Sequence, residues 1–299
     1  MQRIGGPMLF VLLWSTGFVG AKYGLPYAEP FTFLSVRLLL AAALLGGLAV
    51  ALRSARMPSR TQYGHAAVVG VLLHAGYLGG VFYAISIGVP AGVSAVVVSL
   101  QPVLTAVLAT RVLDERLVAR QWTGLMLGVV GVTLVVAPGL AGSGSTASLP
   151  LAGLLGCGVA LACGTSATLY QKRHGDGIPL VWGTAVQYAA ASLLLLAAAS
   201  ATESLRIAWT TEFVAALVWL VLVLSLGAVL LLLVLLRRGS ASSVSSLLYL
   251  VPPATAVEAF LLFGERLSLP ALAGVAVAAL GVALVVTPVR PSPRARPAQ

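Results

Sequence analysis

Four side chains with aromatic or hydrogen-bonding groups stand deep inside long apolar stretches of the chain. Trp14 and Ser15 lie midway along the first stretch, and His74 and Tyr77 lie near the middle of the third. His74 and Tyr77 are three positions apart, so on a helix their side chains share one face. A polar group among apolar neighbours needs a partner or a water-filled cavity. The pattern therefore predicts a cavity for an amphipathic organic solute, with aromatic faces that hold a flat ring or a cation.

Prolines interrupt two further apolar stretches at matching places. Gln101-Pro102 stands in one of them and Pro252-Pro253 in the other. A proline removes a helical hydrogen bond and clashes with the carbonyl four residues earlier, which frees backbone groups to bind a solute. We predict a paired hinge or broken helix at these prolines, with Gln101 binding an amino or carboxyl group. A static kink that packing tolerates is the alternative.

Glu258 is an acidic side chain inside an apolar stretch, six residues beyond Pro252. It predicts either proton coupling or the recognition of a cationic amine. The alternative is a carboxylate that pairs with Arg266 or reaches interfacial water. Further, weaker candidates for the cavity wall are Tyr83, Gln187, Tyr188 and Tyr249.

Structural roles remain open for several of these residues. A hydrogen bond between helices would also explain His74, and packing or lipid contact would explain Trp14. Arg37 stands seven residues into the second apolar stretch, and Lys22 stands at the end of the first. We expect the long side chains of both residues to extend to the membrane interface.

The composition indicates that lipid surrounds most of the chain. Apolar residues make up 59% of the 299 residues, charged residues make up 9%, and the mean hydropathy is +1.02. A soluble domain carries about 25% charged residues. The net charge of +10 comes from short basic clusters between apolar runs, which is typical of membrane proteins and does not indicate nucleic-acid binding.

Ten apolar runs are long enough to cross the hydrocarbon core as helices. They are continuously apolar, and this favours helices over a barrel of alternating strands. Most of the 18 Lys and Arg residues fall in the termini and the loops of one side, so both termini are predicted to be cytoplasmic. The predicted spans are 7–25, 30–52, 63–87, 91–110, 118–137, 150–171, 178–200, 211–236, 240–263 and 268–287.

The chain contains two copies of one five-span unit. The stretch LQPVLTAVLATRVLDERL from Leu100 aligns without a gap with LVPPATAVEAFLLFGERL from Leu250. Because five is an odd number of crossings, the two copies insert in opposite senses, as in many secondary transporters. We predict a first repeat at 1–145, a second repeat at 146–288 and a disordered basic tail at 289–299.

The same motifs resemble a known family. QPVLTAVLATRVLDE at 101–115, VPPATAVEAFLLFGE at 251–265, the early LWSTGFVGAKYGLP and the FLSVRLLLAAALL of the second span resemble the EamA-type branch of the drug/metabolite transporter superfamily. The resemblance covers nearly the whole chain. It implies a ten-helix basket whose central cavity is bounded largely by the first, third, fourth, sixth, eighth and ninth helices. Similar members export amino acids and other metabolites, and one branch exports aromatic amino acids. Pro253 and Glu258 depart from the first-half motif.

These observations predict an all-α polytopic membrane protein with ten transmembrane helices, arranged as two inverted five-helix repeats around a central cavity. The expected function is ATP-independent export of amino acids, including aromatic ones, or similar small metabolites. Export would proceed across a bacterial-type inner membrane by alternating access. The expected partners are a small-molecule substrate and membrane lipid, without nucleic acid, and the expected state is a monomer.

Other functions stay open at this level. An exporter of lipophilic cations or drugs, of nucleosides or of sugars would share the same architecture. An intramembrane enzyme or a receptor is the alternative of another class. The chain has no phosphate-binding glycine loop, no His-Glu-x-x-His and no Gly-x-Ser-x-Gly. We therefore expect no catalytic residue, no metal and no cofactor.

Overall fold

The computed structural model describes residues 2–51, 57–112, 118–140, 149–228, 231 and 250–286. Within these residues the chain forms ten helical segments, which we number α1 to α10. They are α1 (Gln2–Gly24), α2 (Pro30–Ala51), α3 (Arg60–Ser86), α4 (Ala91–Val98 and Gln101–Val112), α5 (Ala119–Leu140), α6 (Leu151–His174), α7 (Leu180–Thr202), α8 (Thr211–Ala228), α9 (Val251–Phe263) and α10 (Leu269–Val286).

Seven of the described helices are long and apolar enough to cross a membrane. These seven are α2 to α8, and α9 and α10 contribute shorter apolar helices of the same character. With α1, which is 23 residues long, they account for the ten predicted spans. Each described segment overlaps one of the ten apolar runs of the sequence, because lipid leaves a backbone few alternatives to a fully hydrogen-bonded helix.

The last helices of the two halves, α5 and α10, run antiparallel in close contact. A Cβ atom at Gly274 would lie 2.6 Å from the carbonyl oxygen of Gly131, and one at Gly281 would lie 2.6 Å from that of Gly124. In the repeat alignment Gly124 corresponds to Gly274 and Gly131 to Gly281. Exchanging the two halves therefore converts one glycine contact into the other, as an inverted repeat requires.

A π-helical segment lies in the third helix of each half. It covers Val71–Leu78 in α3 and Trp219–Ala228 in α8, and in the repeat alignment the first range falls within the second. Such wide turns are rare and occur frequently at functional sites. The sequence did not predict them, because no residue pattern marks the change from ordinary α-helical turns.

The prolines of α4 and α9 lie at the starts of helical segments. In α4 a turn at Ser99 and Leu100 breaks the helix, which resumes at Gln101-Pro102. The described part of α9 begins at Val251, so Pro252 lies in its first turn. A proline in a first turn costs no helical hydrogen bond. This geometry agrees with a broken helix in α4, while the predicted hinge motion stays a prediction.

Polar contacts close the end of the molecule at which α1 finishes. Lys22 forms an ion pair with Glu265 and lies 4.7 Å from the ring centroid of Phe263. The Lys22 side chain is 33% exposed at the helix end, so its extension to the membrane interface stays a prediction, and Glu265 and Phe263 are the contacts of its ammonium group.

The connection between α7 and α8 folds over the connection between α1 and α2 at this same end. Glu203 accepts hydrogen bonds from the backbone N–H groups of Phe31 at 2.8 Å and Thr32 at 2.7 Å, which caps α2. Glu29 accepts bonds from the backbone and hydroxyl of Ser204, both at 2.6 Å. These bonds stabilise the carboxylate and lower the pKa of Glu29 from its ordinary value.

Candidate functional site

Two neighbouring cavities lie between the helices. The first is enclosed by α1, α2 and α3 from one half and by α7 and α8 from the other. The second is enclosed by α1, α3, α4, α9 and α10. Four side chains line both cavities and form a wall that the two share: Trp14, Phe18, Leu73 and Tyr77. The helices that line the two cavities differ from the expected set, because α2, α7 and α10 contribute and no described residue of α6 lines either cavity.

Three of the predicted residues meet in the first cavity. Trp14 from α1 and His74 and Tyr77 from the π-helical segment of α3 all line it. His74 Nε2 lies 3.3 Å from Gln187 Oε1 of α7, and the His74 ring meets the Tyr188 ring edge-on at 4.6 Å between centroids. His74 therefore makes a hydrogen bond between helices and also contributes to the cavity, so the two roles considered from the sequence do not exclude each other.

Gln101 and the prolines belong to the second cavity. Gln101, Pro102 and Pro252 line it together. Gln101 Nε2 donates to the Gly164 carbonyl at 3.1 Å and to Thr168 Oγ1 at 2.9 Å, both on α6. The amide is thereby fixed against α6, and its nitrogen is engaged within the protein.

Ser15 and Glu258 form a pair between the two halves. Ser15 is fully buried on α1, and its hydroxyl donates to Glu258 Oε1 of α9 at 2.6 Å. Glu258 Oε2 is buried and has no hydrogen-bond partner in the described part of the chain. Of the two alternatives to a functional role, pairing with Arg266 is replaced by this bond to Ser15.

The remaining candidates lie elsewhere. Tyr83 packs against α6, where a Cβ at Gly156 would lie 3.1 Å from its ring, and it lines neither cavity. Pro253 is half-buried and lines neither cavity. Tyr249 lies outside the described residues.

The structure contradicts the predicted position of Arg37. It is 4% exposed and lines the first cavity, whereas the sequence suggested that it reaches the outer interface. Its Nη2 lies 3.4 Å from Ser225 Oγ of α8, and its guanidinium carbon lies 5.9 Å from the centre of the Phe82 ring. A signal was available in the repeat: the equivalent of Arg37 is the polar residue Gln187, which also faces the interior.

Catalytic or metal chemistry has little support among the described residues. No group of three or more His, Cys, Asp or Glu side chains in them is arranged to hold a metal ion. Ser99 lines the second cavity, and its hydroxyl donates to the Val96 carbonyl at 2.6 Å. The embedded polar groups instead line cavities to which both halves contribute.

The sequence profile of the EamA-like transporter family matches residues 6–137 and, separately, residues 151–287. The chain belongs to the EamA-like transporter family. The two matched segments lie within the predicted repeats, and together they cover nearly all of the chain. The prediction of an all-α polytopic membrane protein from this family is confirmed.

Individual EamA-like relatives cover the same length. The chain is 32% identical over 283 residues to YvbV of Bacillus subtilis, described as an uncharacterized transporter, spanning 93% of this chain and 89% of the relative. It is 28% identical over 281 residues to a probable amino-acid metabolite efflux pump of Salmonella typhimurium, spanning 89% of each. A solved crystal structure shares the fold with a TM-score of 0.65 at 20% identity, over 93% of this chain and 94% of the other.

The chain is thus a multi-pass membrane transporter. The family and the names of the relatives point to a transporter rather than an enzyme. Its bacterial relatives are consistent with a location in the inner membrane. A small-molecule substrate is consistent with the family.

Proposed function

We propose that this protein is a secondary transporter that exports amino acids, including aromatic ones, or similar small metabolites. Transport proceeds by alternating access, with the substrate held in the interior cavities and both termini in the cytoplasm. The two five-helix repeats at 1–145 and 146–288 are the proposed moving units. The proposal rests on one observation: helices of both halves contribute aromatic and polar side chains to the lining of the first cavity.

The chemistry of that wall supports a small amphipathic solute. Trp14, Tyr77 and Tyr188 offer aromatic faces for an apolar or aromatic side chain. His74 and Arg37 offer the few polar groups that orient a ligand in a mostly apolar pocket. Most of the side chains that line the first cavity are apolar or aromatic, as in small-molecule sites.

The placement of the cavity supports alternating access. Arg37 of α2 reaches α8 of the other half, and Gln187 of α7 reaches α3 of the first half. Arg37 and Gln187 are repeat equivalents. Rocking of the halves would therefore change both contacts at the substrate, which is how inverted repeats exchange inward-open and outward-open states.

The relatives support the substrate class. Proteins of Salmonella typhimurium and Escherichia coli that are 28% and 26% identical to this chain are described as probable amino-acid metabolite efflux pumps. Lipophilic cations are the main alternative substrate. The embedded acid Glu258 would favour them, but its Oε1 is already bonded to Ser15 and Arg37 adds a positive charge to the cavity.

Counterflow in proteoliposomes tests the proposal. The purified full-length protein is reconstituted with each of the twenty amino acids inside, and entry of the same labelled amino acid is followed. We expect counterflow for a subset that includes aromatic amino acids, and a strong reduction in Trp14→Ala. Trp122→Ala is the matched control, because Trp122 is 50% exposed on α5 and lines neither cavity.

Export is tested in cells. Overproduction of the protein should raise resistance to toxic analogues of the transported amino acids, and inside-out vesicles should take up the same compounds. Absence of counterflow for every amino acid, together with counterflow for lipophilic cations, would replace the proposed substrate class with the alternative.

A further inference from the structure

Arg37 is a buried cation without an anionic partner. Its side chain enters the first cavity from α2, and its only recorded hydrogen-bond partner in the described residues is the neutral hydroxyl of Ser225, at 3.4 Å. Its Nε is buried and has no partner there. The Phe82 ring at 5.9 Å supplies a weak cation–π contact. The guanidinium therefore keeps unused donors at a cavity wall.

The acidic residues of the chain do not neutralise it. Six of the eight Asp and Glu residues are described, and none of the six forms an ion pair with Arg37. The other two, Asp114 and Glu115, lie outside the described residues, between the fourth and fifth apolar runs. A buried charge is costly unless it is paired and hydrogen-bonded. An anionic group on a bound solute would supply the partner that the described residues do not.

The repeat makes the cavity asymmetric in charge. The equivalent of Arg37 in the second half is Gln187, which is neutral. Its Oε1 atom lies 3.3 Å from His74 Nε2. Among the described residues that line the two cavities, Arg37 is the one charged side chain. One guanidinium matches one carboxylate in a bidentate pair, whereas a phosphate dianion would call for more positive charge than this wall provides.

We propose that Arg37 binds the carboxylate of the transported solute and makes the cavity selective for small carboxylates over neutral or cationic analogues. The inference rests on the proposed function, because it takes the first cavity as the substrate site. The aromatic side chains Trp14, Tyr77 and Phe82 then face the apolar portion of the solute. A lipophilic cation would meet Arg37 as a like charge, which disfavours that class.

A matched pair of probes isolates the charge. 3-Phenylpropionate and 3-phenylpropanamide have nearly the same shape and differ in the carboxylate. Their affinities for the purified full-length protein in detergent are measured from ligand-induced shifts in melting temperature and by calorimetry. We expect the wild type to prefer the carboxylate at least about tenfold, which corresponds to about 1.4 kcal/mol.

Three variants assign the preference to Arg37. Arg37→Gln should bind both probes with equal, weak affinity. Arg37→Lys keeps the charge but loses the planar fork, so it should keep a smaller preference; this variant also keeps the test decisive if the glutamine variant does not fold. Arg206→Gln removes an exposed arginine between α7 and α8 and should bind as the wild type does.

The possible outcomes separate this inference from the proposed function. Equal binding of the two probes by the wild type, or an unchanged preference in Arg37→Gln, overturns the role of Arg37. If amino-acid counterflow persists in that case, the proposed function stands. A carboxylate preference that Arg37→Gln abolishes, without counterflow of any amino acid, would uphold the anion site while rejecting the proposed substrate class.

Discussion

Lys22 of α1 and Glu265, which follows α9, form an ion pair that joins the first half of the chain to the second. Phe263 packs against the same lysine, and Tyr23 lies 6.0 Å from the Phe263 ring. Glu265 also lies 3.4 Å from the backbone N–H of Ala91, where α4 begins. Three helices around the cavities are thereby tied together at one end. We interpret this cluster as the closed gate on that side.

Breaking the ion pair should open this gate more often. Phe18→Cys, on the wall shared by both cavities, reports access when Cys157 and Cys163 are replaced by alanine. In Lys22→Gln or Glu265→Gln, labelling by a membrane-impermeant maleimide from the Lys22 side should become several-fold faster. The charge-reversed double variant Lys22→Glu/Glu265→Lys should restore slow labelling. Equal rates in all variants would mean that the ion pair does not hold the gate.

The antiparallel contact of α5 with α10 depends on the absence of side chains. A Cβ atom at Gly131 would lie 2.4 Å from the backbone nitrogen of Ala278, a distance that forces the helices apart. We expect Gly131→Ala to destabilise the protein by about 1–3 kcal/mol, the usual cost of overpacking. Thermal unfolding in detergent measures this as a lower melting temperature.

Gly158 supplies the control for that prediction. A Cβ atom there would meet nothing within 4 Å, and the residue lies on an exposed face of α6. Alanine is a better helix former than glycine by about 0.5–1 kcal/mol, so Gly158→Ala should leave the melting temperature unchanged or raise it. If the two alanine variants had the same stability, close glycine packing would not be what holds α5 to α10.

Much of the architecture was predictable because lipid constrains it. Ten helical segments lie where the ten apolar runs are, since a backbone in hydrocarbon must satisfy its own hydrogen bonds. Trp14, His74 and Tyr77 were found as cavity residues by the same reasoning, because each carries a polar or aromatic group into an apolar run. Their roles in binding stay predictions.

Other features depended on tertiary contacts that spacing does not encode. Arg37 is close enough to a helix end to reach the interface, and only the packing of α2 against α7 and α8 turns it inward. Lys22 and Glu265 are far apart in sequence and meet because the two halves are antiparallel. α3 and α8 each contain a π-helical segment, and the one in α3 widens the turn that carries His74. No residue pattern in the sequence predicted these segments.

The inverted repeat makes a direct prediction about membrane sides. Ala119 begins α5 and its repeat equivalent, Leu269, begins α10; both are exposed. In intact cells, an impermeant maleimide should label Leu269→Cys, whereas Ala119→Cys should react only after the membrane is permeabilised. The background again lacks Cys157 and Cys163. Labelling of both positions from one side would contradict opposite insertion of the halves, and with it the proposed mechanism.

Glu258 provides the last prediction, which concerns energy coupling. Its Oε1 accepts the Ser15 hydroxyl at 2.6 Å across the two halves, and its buried Oε2 lacks a partner in the described chain, so one oxygen is free to carry a proton. We expect Glu258→Gln to keep counterflow, which needs no net driving force, but to lose accumulation driven by an imposed pH gradient. Ser15→Ala keeps the carboxylate and should retain gradient-driven accumulation, at a lower rate. Undiminished accumulation in Glu258→Gln would assign coupling to another group and leave Glu258 as a structural link between α1 and α9.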